Sequence, residues 1–229
     1  YYDEQGYKMR RADYGVAEIW YEYDDSGNLI RESYKDVDGG LVNRSDTGYA
    51  VVYRKFEDGQ MVHCHYGGYG MFGQVADKVT GVAGTVYMYD GGQKSREEYY
   101  DAEGKLTLRS DLGCAVQQFE YDDSGNKCAE YYYGTDRQPV LRLDMGYAAV
   151  KYQNDEEGKR NDVRFYGLDG LLTVSEKNHC AGINYEYDEK ENRVTIKYIG
   201  TDGGLMVRGD LGYAKIELTY DSYGNVKKG

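Results

Sequence analysis

The sequence predicts an all-β chain: tandem β-hairpin and meander repeats forming an elongated twisted sheet or a β-solenoid-like array. Three observations carry that expectation: a 33-residue internal period, period-two apolar patterning within each unit, and turns rich in Gly and Asp between the patterned stretches. The period is plainest at an alanine two residues past a punctuating residue: Ala17, Ala50, Ala83, Ala115, Ala148, Ala181 and Ala214. The punctuating slot holds Gly15, Gly48, Gly81, Gly113, Gly146 and Gly212, with His179 the exception. A repeat of this kind is one supersecondary unit that buries its apolar face on its neighbours. Residues 1–229 are therefore expected to be a single array of about seven units, cut from a longer protein. A closed seven-bladed propeller is the alternative, although 33 residues is short for a four-stranded blade.

The elements of one unit follow in order from Gly39. GLVNRSD reads as a short strand, Asp46-Thr47-Gly48 as a turn and YAVVYRKF as a longer strand. A second turn at Glu57-Asp58-Gly59 leads into a third strand, QMVHCHY. Gly and Asp at such corners supply positive φ and side-chain-to-backbone bonds. The second turn is clearest at Tyr23 to Asn28 and again, letter for letter, at Tyr121 to Asn126, with variants at Tyr187 to Asn192 and Tyr220 to Asn225. Asp opening and Gly-Asn closing a short loop between alternating strands is a hairpin signal. In the longer strand, even positions counted from the punctuating slot are apolar, as in Ala17, Ile19, Tyr21 and Tyr23, while odd positions are mixed and polar. That alternation marks a strand with one buried face. The recurring small alanine predicts close approach of strands or layers there.

Composition decides what fills the core and which partners are excluded. There are 28 Tyr against one Trp, with 31 Gly and one Pro. Tyrosine takes over from scarce aliphatics as buried area, keeping its hydroxyl at a wet edge. A net charge of −12 argues against nucleic acid and against anionic membrane surfaces. No apolar run approaches the roughly 20 residues of a spanning helix, so membrane insertion is not expected. Cys64, Cys114, Cys128 and Cys180 lack CxxC spacing and are expected to be free thiols packed as small apolar residues.

The YDxxGN turns give the chain a family likeness. It resembles the YD-repeat class, the tyrosine-aspartate repeats of bacterial RHS-type proteins, at Tyr23-Asp24, Tyr121-Asp122, Tyr187-Asp188 and Tyr220-Asp221, with Gly27-Asn28, Gly125-Asn126 and Gly224-Asn225. The resemblance implies a bacterial, surface or secreted protein whose β-hairpins stack into a long curling sheet. It brings no catalytic residues. This unit is longer than a typical YD repeat, adding a DxDG-type turn and a GYA strand.

Candidate binding residues are aromatic. Trp20, Tyr49, Tyr53, Tyr147 and Tyr213 fall on the predicted outer face, where equal strand positions would align them into a stripe suited to sugar rings or a peptide. Tyr66 and Tyr69 belong to the most irregular stretch, Tyr66 to Gly73, whose extra glycines let backbone approach a ligand closely. The alternative for all of them is packing within the array. His63 and His65 share a strand face in chelating geometry, yet no further ligand recurs nearby, so no metal or other cofactor is expected. An Arg-x-Asp string recurs at Arg11, Arg44, Arg109, Arg142 and Arg208 and is expected to align into charge ladders, with Arg208-Gly209-Asp210 an ordinary member. No P-loop, HExxH or GxSxG motif is present. The expected function is a non-catalytic module of a bacterial surface or secreted protein that binds glycan, cell-wall polysaccharide or protein. The alternatives are a purely structural or protein-scaffolding array, cytoplasmic if the unpaired cysteines set the compartment, and an enzyme with its site at the irregular third repeat.

Overall fold

The computed structural model describes residues 1–70 and 73–228. The described residues contain strands and turns and no helix. The chain divides into two compact units, Tyr1–Val116 and Gln117–Gly229. The first holds β1 (Glu18–Tyr23), β2 (Leu29–Lys35), β3 (Val51–Glu57), β4 (Gln60–Gly67), β5 (Gly84–Asp90) and β6 (Gln93–Tyr100). β7 (Val116–Tyr121) begins at the division. The second unit continues with β8 (Lys127–Tyr133), β9 (Ala149–Asn154), β10 (Arg160–Tyr166), β11 (Gly182–Tyr187), β12 (Arg193–Ile199) and β13 (Lys215–Glu217). The strand order β1 to β13 is the chain order, an open meander. A separate two-stranded sheet joins β14 (Thr219–Tyr220) to β15 (Val226–Lys228). A propeller would give each repeat its own sheet. Here β2 pairs with β3 and β4 with β5, so hairpins of successive repeats share one sheet and the propeller alternative is excluded.

The first six repeats contribute two strands each, not the three expected. The stretch read as a short third strand makes isolated bridges instead: Lys35 to Leu41, Gly67 to Gln74, Tyr100 to Leu106, Tyr133 to Pro139, Tyr166 to Leu172 and Ile199 to Leu205, with Arg109 to Cys114 in addition. Pairing stops because the chain coils immediately afterwards. The Gly48 N–H donates to the Arg44 carbonyl at 2.8 Å, and the same one-turn closure recurs from Gly15 to Arg11 and from Gly146 to Arg142. This closure explains the punctuating glycine, since φ there is +70° at Gly15, +85° at Gly48 and +74° at Gly146. His179 fills the slot at φ +53°, a left-handed conformation that costs an L-residue about 1–2 kcal/mol. His179→Gly is therefore expected to raise unfolding stability by about 1 kcal/mol, read as a higher urea midpoint at unchanged slope. An unchanged or lower midpoint would contradict that strain.

The hairpin turns are built as expected. Asp24 Oδ1 accepts from the N–H groups of Ser26 and Asn28 at 3.0 and 2.8 Å, and the Asn28 amide closes on Oδ2 at 3.0 Å. Asp122, Asp188 and Asp221 repeat the arrangement. The recurring alanine is the hydrogen-bonding hinge between repeats. The Ala50 N–H reaches the Gly67 carbonyl within its own repeat, while its carbonyl accepts from the Tyr34 N–H of the preceding one, both at 2.8 Å. A larger side chain would have to enter a fully buried position.

The core is aromatic. Tyr34, Tyr99 and Tyr132 are the largest fully buried side chains and occupy equal repeat positions. Their hydroxyls do not reach a wet edge. Each donates to the glutamate two residues earlier on the same face: Glu32 at 2.7 Å, and Glu97 and Glu130 at 2.8 Å. An arginine lies over each ring, Arg44 at 5.0 Å and Arg109 and Arg142 at 5.3 Å from the centroids. These arginines do not form a ladder along the array. Each forks onto the aspartate two residues on, as Arg44 does on Asp46 and Arg142 on Asp144, and Arg208 with Asp210 is the same local pair. Cys64, Cys114 and Cys180 are buried and Cys128 is partly exposed.

Candidate functional site

The aromatic stripe does not exist as one row. Trp20 is 53% exposed at β1, with the Lys35 ammonium 3.4 Å from its ring centroid. Tyr53 is half-buried on the same sheet face, stacked on His65 at 4.9 Å, and His65 stacks in turn on His63 at 5.0 Å. Burial holds both imidazoles below their ordinary pKa, aided by Lys55 at His63 and by His63 at His65. Among the described residues no group of three His, Cys, Asp or Glu could hold a metal ion.

Tyr49 and Tyr147 lie inside the packing rather than on the outer face. Tyr49 stacks on Tyr66 at 4.4 Å, and Tyr147, only 5% exposed, stacks on Phe165 at 4.9 Å. The connecting coil covers this end of the strand, so both strand faces are buried there. Tyr66 and Phe165 occupy the repeat position of Tyr34, and the stacked tyrosine supplies the face contact that an arginine supplies at Tyr34. Tyr213 is 40% exposed and tilts against Tyr198. Tyr69 is 61% exposed, its N–H held by Asn43 Oδ1 at 2.7 Å. Met71 and Phe72 of the irregular stretch lie outside the described residues.

A recess with converging polar groups lies elsewhere, on the outward face of β8, β9 and β10. Register places Lys151 between Ala129 and Arg164, Ala149 between Tyr131 and Tyr166, and Gln153 beside Asp162. The small Ala129 leaves a floor between longer neighbours, opening a cleft of about 480 Å3 that also reaches Glu120 and Cys128. Its groups alternate in kind. Asp162 accepts from the Asn184 amide at 2.6 Å and from Arg164 at 2.9 Å. Burial nevertheless raises its pKa above the usual carboxylate value, and Arg164 and Asn184 only partly oppose that. The Tyr131 hydroxyl donates to Glu120 at 3.1 Å, and its pKa is pushed up to about 12 by burial and by that carboxylate. Lys151 stands over the Tyr166 ring at 5.3 Å.

Apart from Cys128, read only as a free thiol, none of these cleft residues was singled out by sequence reasoning. A signal was present: the strand position of Lys151 reads Trp20, Tyr53, Val86, Gln118, Lys151, Asn184 and Glu217 through the repeats. A position that varies while its neighbours recur is not set by the scaffold.

Comparison with known proteins gives distant likenesses to solved structures. No protein-family model matches the chain, and no curated protein matches it either. Among solved structures it is similar to the TcdB2-TccC3-TEV crystal structure, at TM-score 0.44 and 12% identity over 90% of this chain and 10% of that one. It is similar also to TcdB2-TccC3 without its hypervariable C-terminal region, at 0.42 and 14% over 90% and 10%. A third likeness is to the Photorhabdus luminescens Tc holotoxin pore, at 0.25 and 13% over 91% and 12%. The chain thus spans about a tenth of the length of the structures it matches.

Proposed function

We propose that the chain is a non-catalytic binding module, built on YD-type hairpin repeats, that takes a sugar in the cleft on β8, β9 and β10. The observation that carries this reading is the alternation of donors and acceptors around one recess of about 480 Å3. Glu120 and Asp162 accept, Lys151 and Arg164 donate, and the Gln153 amide and Tyr131 hydroxyl do both. A sugar hydroxyl donates and accepts at once, so it can bridge such neighbours, whereas a peptide amide offers the two functions on separate atoms. The pairs already formed leave capacity, because a carboxylate carries about four lone-pair sites and a guanidinium five donors. The backbone groups beneath the cleft are engaged in sheet pairing, so recognition would be by side chains. A bacterial surface or secreted setting suits such a module and belongs to the same proposal.

The test is binding to an array of glycans and cell-wall fragments by the wild type and two double variants. Saturable binding is expected to fall at least about tenfold in Lys151→Ala/Gln153→Ala, two exposed positions, as about 1.4 kcal/mol of lost polar contact implies. Trp20→Ala/Tyr53→Ala should leave it unchanged. Loss in the second variant alone would move the site to the face of β1 and β3, and no binding to any glycan would overturn the reading.

A further inference from the structure

Next to the polar cleft lies a second recess of about 210 Å3, and the two share Tyr131, Lys151 and Tyr166. Its remaining walls include Tyr133, Pro139 and Leu168, with the small Ala149 and Gly167 giving depth. These walls are predominantly apolar, and the space exceeds the roughly 150 Å3 cavity that accepts benzene. A monosaccharide seated in the polar cleft would leave this recess empty, with aromatic walls facing water.

Lys151 stands where the two recesses meet. Its ammonium is exposed, rests over the Tyr166 ring at 5.3 Å and makes no ion pair among the described residues. The other cation of the cleft, Arg164, is already matched by Asp162. In a chain with net charge −12, a lysine without a carboxylate partner between a polar cleft and an apolar recess is the natural seat for an anionic group on the ligand.

We infer that cleft and recess form one composite site for an acidic sugar bearing a ring-sized apolar substituent, with the sugar carboxylate at Lys151 and the substituent between Tyr133, Pro139 and Leu168. This inference rests on the sugar-binding reading above and adds the ligand's charge and its apolar group. The order of parts along the site is fixed: hydroxyls towards Gln153 and Asp162, the anion at the junction, the ring towards Leu168.

Four probes separate the parts: 4-nitrophenyl glucuronide, methyl glucuronide, 4-nitrophenyl glucoside and 4-nitrobenzoate, each titrated calorimetrically into the full chain. The nitrophenyl glucuronide is expected to bind at least about tenfold more tightly than the methyl glucuronide, from burial of the ring. It should bind roughly fivefold more tightly than the nitrophenyl glucoside, the scale of a partly exposed ion pair. Lys151→Ala should remove the second preference and keep the first. Leu168→Gln, at an exposed position, should weaken the first and keep the second. Equal binding of the two glucuronides would overturn the composite site while leaving the sugar reading intact. Binding of 4-nitrobenzoate as tight as that of the nitrophenyl glucuronide would overturn the sugar reading too. No binding by any probe would overturn the composite site, with the glycan array then deciding the broader reading separately.

Discussion

Tyr132→Ala is expected to destabilise the protein by about 3–5 kcal/mol, the range for removing a fully buried aromatic ring. The ring is completely buried, lies under Arg142 and tilts against Tyr147 at 6.0 Å. Its hydroxyl donates to Glu130 at 2.8 Å and accepts from Arg142 at 3.2 Å. Removing it opens a cavity and leaves a carboxylate short of a donor. Burial opposes ionisation of Glu130, but the Tyr132 and Tyr152 hydroxyls and the Lys127 ammonium outweigh it and hold the carboxyl below its usual value. Tyr132→Phe keeps the ring and loses only the polar contacts, so about 1–2 kcal/mol is expected. The exposed Tyr223 serves as the control, where substitution by Ala should stay within about 0.5 kcal/mol. Urea unfolding at neutral pH checks all three. Equal costs for the Phe and Ala variants would mean that the ring carries no packing energy, and the tyrosine core would have to be abandoned.

Alkaline pH is expected to unfold the chain in the range where its tyrosines ionise. Burial, the largest cause in each case, pushes Tyr87, Tyr131 and Tyr147 up to about 12. Tyr34, Tyr66, Tyr132 and Tyr152 are raised for the same leading reason. A phenol whose folded pKa lies above its unfolded value near 10 contributes stability that is fully present below about pH 10. That contribution is lost as pH rises from about 10 to about 12, because the unfolded chain releases its protons first. For the buried Tyr147 the shift corresponds to about 3 kcal/mol. Loss of β-sheet signal should therefore coincide with the last part of the rise in phenolate absorbance, that of the buried rings, between about pH 10 and 12. A phenolate rise already complete near pH 10 in a still-folded chain would show that the buried rings are wet.

How much of this was legible in the sequence depends on how local each feature is. The hairpin turns were readable because Asp24 and Asn28 close them within five residues. The buried face of the inner strands was readable because its period is two. The third strand was not, because its single bridge at Leu41 depends on where the coil from Arg44 to Gly48 turns the chain. The outward assignment of Tyr49 and Tyr147 failed because alternation assumes one open face, and at that end of the strand both faces are covered. A finer reading could have caught it. The position after the punctuating residue is Val16 or Cys180 where the next repeat carries Arg44 or Arg208, but Tyr49 or Tyr147 where it carries Asp77 or Ser175. Each repeat needs one flat group against its buried ring, and either residue can provide it. The cleft was least legible, since Tyr131, Lys151 and Asp162 come from three strands at positions that do not recur.

Cys128 offers the most direct test of a ligand site in that cleft. It is the partly exposed thiol of the four and lines the recess, while Cys64, Cys114 and Cys180 are buried. Burial raises its pKa, with Glu120 and Asp122 adding to the effect, so alkylation should be followed at mildly alkaline pH. The tightest glycan from the array is titrated against the rate of Cys128 modification, read by mass spectrometry. The account predicts a saturable slowing at Cys128 whose midpoint equals the dissociation constant. A glycan that binds at saturation while Cys128 reacts at its free rate would place the ligand elsewhere and contradict the account.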